Sequence, residues 1–133
     1  MNNIFIYFAT LIPLGILDAL WLLVIAKKFY ATEMGFLFTK TVNLTPVLFF
    51  YPIYALAVML LVVMPAVASG SWVEALWRGA LLGLAAYGAY DLTNHATING
   101  WPLTMTLVDI GWGIFVTACT SVIAYFIITN IKL

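Results

Sequence analysis

Long apolar stretches broken by short polar ones organise the chain, and four of them suit membrane-spanning helices at about 4–26, 46–65, 72–97 and 102–129. A span needs roughly 20 helical residues. The first stretch stops at Lys27-Lys28. The second opens at Thr45-Pro46, where threonine suits a cap and proline the first turn, and closes near Met64-Pro65. Ser71-Trp72-Val73-Glu74 has the pattern of a capping box and announces the third. Asn99-Gly100-Trp101 followed by Pro102 announces the fourth. These stretches are too long and continuous for barrel strands, so the pattern predicts an all-α integral membrane protein, a four-helix antiparallel bundle forming a single domain over 1–133.

The connection from Lys27 to Leu44 is the one long break. It mixes Lys27, Lys28, Glu33 and Lys40 with Phe29, Tyr30, Phe36, Leu37 and Phe38, which suits a short amphipathic helix lying at the interface between helices 1 and 2.

Composition agrees with the pattern. Of 133 residues, 65% are hydrophobic and 8% charged, and the mean hydropathy is +1.12. A soluble domain is nearer half apolar and a quarter charged. Five basic and five acidic residues cancel, which argues against nucleic acid as a partner. Cys119 has no second cysteine to pair with, so an intrachain disulfide and a cysteine metal cluster are excluded. The first stretch lacks a basic leader and contains Asp18, so it reads as a retained span rather than a cleaved signal. Lys27, Lys28 and Lys40 on one side outnumber Arg78 and Lys132 on the other. By the positive-inside rule that places the first loop in the cytoplasm and both termini outside, on a margin of one residue.

Against this background the acids stand out. With four antiparallel helices rising about 1.5 Å per residue, Asp18 lies roughly 13 Å before Lys27, Asp91 roughly 13 Å before Gly100, and Asp109 roughly 10 Å past Pro102. All three carboxylates thus fall at one depth below one face, with Tyr51 and Tyr54 of helix 2 in the same layer. Asp91, Asn94 and His95 are related by i,i+3 and i,i+4 and share a face of helix 3, with Tyr87 a turn below. Asp18 with Trp21, and Asp109 with Trp112, repeat a D-x-x-W spacing on helices 1 and 4. A carboxylate among lipid costs at least about 2.5–3.5 kcal/mol on insertion scales, so three of them mark either a polar plug that fixes packing or a functional pocket. Arg78 is thirteen residues from Asp91, about 20 Å along the helix, and does not neutralise the layer. The ligand-binding set expected from the sequence is therefore Asp18, Trp21, Tyr51, Tyr54, Asp91, Asn94, His95, Asp109 and Trp112.

Trp72, Trp77 and Trp101 suit interface anchors. Gly79-Ala-Leu-Leu-Gly83 has the small-xxx-small pattern, which serves packing within a bundle or association of two copies. Asn43-Leu44-Thr45 matches a glycosylation sequon but is better explained as a helix start. No nucleotide loop, paired zinc-site histidines or nucleophile elbow is present, and D-x-x-N-H is not a recognised metal spacing; metal and cofactor stay open.

The run Y-D-L-T-N-H-A-T-I-N-G-W-P-L-T-M-T-L-V-D-I-G-W-G at 90–113 resembles a bacterial family of small membrane proteins catalogued as domain of unknown function 2177. L-D-A-L-W-L (17–22), A-K-K-F-Y (26–30) and S-G-S-W (69–72) are similar as well, so the resemblance covers nearly the whole chain. It implies a multi-pass protein of four helices in the bacterial inner membrane, in contact with membrane lipids, and brings no catalytic residues with it. Three functions fit the residues: binding or transport of a small solute, proton or cation, ranked first; a membrane enzyme acting on a lipid or isoprenoid group near the interface; or an accessory subunit of a larger membrane complex.

Overall fold

The computed structural model describes residues 2–37, 41 and 43–131. Phe38, Lys40 and Lys132, which entered the reading of the first loop and of the charge balance, lie outside the described residues. Helix α1 (Asn3–Leu20) starts where the Asn2 side chain accepts the Ile4 N–H, and it continues as a π-helical turn over Trp21–Ile25. Helix α2 (Lys27–Met34) occupies the long connection and ends in a 3₁₀ turn at Gly35–Leu37. The second long rod runs unbroken through α3 (Leu44–Val58), a π-helical turn (Met59–Val63) and α4 (Met64–Ser69). Helices α5 (Trp72–Thr97) and α6 (Leu103–Asn130) complete the chain. No strand occurs among the described residues. Three rods, Asn3–Ile25, Leu44–Ser69 and Leu103–Asn130, are long and apolar enough to cross a bilayer.

Two boundaries differ from those the sequence suggested. The second rod begins two residues earlier, because Asn43 rather than Thr45 is the cap, its side chain accepting the Thr45 N–H at 3.1 Å. It also runs past Met64-Pro65 to Ser69. A proline inside a helix leaves an upstream carbonyl without its N–H partner and presses its ring on the preceding turn. The wider π turn, closed by the Met64 N–H on the Met59 carbonyl, falls immediately before Pro65 and lets the helix proceed. It ends instead at Gly70, whose φ of +68° belongs to the left-handed region, while the Ser71 N–H returns to the Ala66 carbonyl at 3.1 Å. Ser71 then caps α5 by accepting the Glu74 N–H at 3.3 Å. Because the Ser71 N–H is already committed, the Glu74 carboxylate turns to Ser69 Oγ at 2.5 Å and to Arg78 Nε at 2.7 Å.

Helix α6 is the hub. It packs along α5, against α1 and against the second half of the Leu44–Ser69 rod, whereas α3 itself packs on α1. The small residues of α5 explain the closeness of the α5–α6 pair. A Cβ on Gly83 would stand 2.2 Å from the Gly113 carbonyl oxygen, and one on Gly79 would stand 2.9 Å from the Ala118 Cα. The Gly79–Gly83 stripe is thus filled by α6 of the same chain. The core continues beneath it through Leu14, Val58, Val62, Val63 and Val116, all fully buried.

Candidate functional site

At the end of the molecule nearest α2, packing gives way to a cavity of about 300 Å³. Two acids from different helices line it, Asp18 of α1 and Asp109 of α6, together with Trp21, Tyr30, Phe50, Tyr87, Tyr90 and Trp112 and the smaller Leu22 and Ala86. Among the described residues no basic side chain lines it.

Each acid is held in its own way. Asp18 is 5% exposed; its Oδ1 accepts the Trp112 indole N–H at 2.8 Å and its Oδ2 accepts the Tyr51 hydroxyl. Asp109 is 7% exposed; its Oδ1 accepts the Tyr30 hydroxyl at 2.5 Å, and that hydroxyl in turn accepts the Trp21 indole N–H at 2.9 Å. The Asp109 carboxyl also lies against the Asp91 carboxyl. The π turn that begins at Trp21 lets its indole lie flat on Trp112, with centroids 4.4 Å apart and planes 3° from parallel. The two D-x-x-W pairs seen in the sequence therefore interlock. Trp112 of one pair bonds the aspartate of the other, and Trp21 reaches Asp109 through Tyr30.

Asp91 is fully buried and does not line the cavity. Among the described residues neither of its carboxyl oxygens has a donor, and the group it lies against is the Asp109 carboxyl. Two apposed carboxyls in a dry interior repel unless a proton or a cation lies between them. The structure thus brings the three acids near one another, Asp18 and Asp109 on one cavity and Asp91 beside Asp109.

Other residues of the expected set stand elsewhere. Tyr54 is buried, but its hydroxyl pairs with Thr117 Oγ1 at 2.7 Å, a turn deeper than the acids. Asn94 is half-buried and His95 exposed, and neither lines the cavity. A step of four residues carries a helix about 40° further round. That step takes His95 off the narrow stripe by which α5 meets α6.

Tyr30 was legible only as one aromatic of an amphipathic loop, and its role comes from the fold. Burial pushes its hydroxyl above its ordinary range, and the bond to Asp109 adds to this, so it remains a donor. Tyr87 and Tyr90 are on the acid-bearing turns of α5, and their proximity to Asp91 in sequence was the available signal. Phe50 and Leu22 gave none, being indistinguishable from lipid-facing residues. Among the described residues no group of three or more His, Cys, Asp or Glu is placed to hold a metal ion.

A family of predicted membrane proteins, DUF2177, matches residues 3–126. The chain belongs to this family. That covers all of α1–α5 and most of α6, including every residue that lines the cavity. No curated protein and no solved structure matches the chain.

Proposed function

We propose that this family member is a multi-pass protein of the bacterial inner membrane, with α5 as a fourth antiparallel span, and that it binds and transports a small cationic or proton-donating solute. One observation carries the reading: Asp18 and Asp109, far apart in sequence, line one cavity with no basic side chain among the described residues that surround it. Ionisable residues inside a membrane face bundle interiors and mark ligand or ion paths. The fourth span follows from length and packing. The 26 residues of α5 reach about 39 Å at 1.5 Å per residue, and α5 packs backbone to backbone on the apolar α6. Tyr51 and Trp112 hold Asp18, while the Asp109 carboxylate, bonded to Tyr30 through Oδ1, is the attachment point for a positive group. A cation or a donated proton there lowers the cost of both Asp109 and its buried neighbour Asp91.

A thermal-stability series on the purified protein tests this. Sodium, ammonium, tetramethylammonium and hexyltrimethylammonium chlorides are titrated against the wild type and Asp109→Asn. At least one of these cations is expected to raise the melting temperature of the wild type and not of the variant, since a ligand stabilises only the state it binds. The cation that does so is then followed into proteoliposomes, where wild-type protein carries it and Asp109→Asn does not. Failure of all four to shift the wild type would sink the reading.

A further inference from the structure

The shape of the cavity names a class of cation. Its walls are aromatic: Trp21 and Trp112 stacked, with Tyr30, Phe50, Tyr87 and Tyr90 around them and the Asp109 carboxylate among the rings. Ring faces attract a cation that has shed its water, and cages of this kind are used to recognise substituted ammonium groups. A bare metal ion is a poorer fit. It needs several oxygen ligands at short range, whereas the described residues offer no group of three acids or histidines so placed. The volume of about 300 Å³ equals roughly ten water-sized groups, far more than an inorganic ion fills.

The way in is equally informative. On the side of α2 the cavity is covered. Ala26, Tyr30 and Met34 pack on Trp101 and Met105, Thr104 Oγ1 bonds Glu33 at 2.7 Å, and the Tyr30 hydroxyl is locked between Trp21 and Asp109. On the opposite side Tyr87 packs against Gly113, and Tyr54 pairs with Thr117. The lining residues that reach the surface are Leu22, Phe50 and Tyr90, at 44%, 46% and 54% exposure. Leu22 and Phe50 belong to rods apolar enough to cross a membrane, so an entrance between these exposed residues would face the bilayer rather than water.

We infer that the cavity takes a lipophilic organic cation, a substituted ammonium head on an apolar chain, which is admitted laterally from the bilayer between Leu22, Phe50 and Tyr90. The head sits among the rings against Asp109, and the chain passes out through the mouth into lipid. This rests on the binding role proposed above and narrows it to one ligand class.

Calorimetry on the protein in phosphatidylcholine nanodiscs separates head from chain. The probes are tetramethylammonium, hexyltrimethylammonium and hexanol, each corrected for uptake by empty nanodiscs. Hexyltrimethylammonium is expected to bind at least tenfold more tightly than tetramethylammonium, hexanol not measurably, and Asp109→Asn to lose at least tenfold for the hexyl compound. Leu22→Trp, an exposed substitution that leaves the core alone, is expected to slow binding of the hexyl compound severalfold by narrowing the mouth. Equal affinity for tetramethylammonium and hexyltrimethylammonium overturns the lateral, chain-bearing ligand, and hexanol binding as well as the hexyl cation overturns the charged head. If sodium or ammonium stabilises the wild type through Asp109 while hexyltrimethylammonium fails to bind, this inference falls and the wider reading stands.

Discussion

Helices α5 and α6 run beside each other through both halves of the molecule and behave oppositely in the two. At Gly79 and Gly83 the contact is as close as backbones allow, because glycine leaves nothing between α5 and the backbone of α6. From Ala86 onward the same pair, with α1 and α3, surrounds a cavity, because tryptophan, tyrosine and aspartate occupy the facing positions. Side-chain size on one pair of helices thus sets both the tight seam and the open chamber. The stacked rings of the chamber, Trp21 and Trp112, come from the α1 rod and from α6, so α6 carries both the seam and one wall of the chamber. Rigid positioning of a site by a tightly packed scaffold costs little when one helix pair supplies both.

The seam is the place where the contrast breaks with most effect. Gly83→Leu places a side chain where the Gly113 carbonyl already stands, and overpacking of this kind costs about 3 kcal/mol or more. Unfolding of the variant in mixed detergent should show that loss, together with loss of cation binding as the chamber deforms. A variant as stable as the wild type would show that the seam does not hold the chamber. Tyr30→Phe acts on the chamber's cover instead. It removes the bonds to Asp109 and Trp21 at once but leaves the ring in its cluster, so a loss of about 1 kcal/mol is expected. Hydrogen exchange should speed in α2 and not in the glycine seam; unchanged exchange in α2 would mean that Tyr30 does not fasten the cover. The smallest effect is expected at His95, which is exposed and stands outside the cavity. His95→Ala should shift stability by less than about 0.5 kcal/mol and leave cation binding unaltered, and a weakened affinity would return the histidine to the site.

Much of the site was readable in advance because helical depth is arithmetic. Asp18, Asp91 and Asp109 could be placed in one layer from residue counts alone, and the D-x-x-W spacing put an indole on the same face as each of two acids. Facing is harder. Asn94 and His95 share a helical face with Asp91, yet only Asp91 enters the packed stripe, since the width of that stripe depends on the partner helix. Tyr54 illustrates the same limit: it is buried, but its hydroxyl pairs with Thr117 and not with an acid.

What the chain determines unaided is whatever follows from local rules. These include the approximate extents of the apolar runs, the cap at Ser71 and the family resemblance. Tertiary structure alone decided that Tyr30 closes over Asp109, that the indoles exchange partners, and that Gly79 and Gly83 serve α6. Those outcomes depend on how helices approach and rotate about one another, which is settled by the summed packing of all of them and not by any single segment.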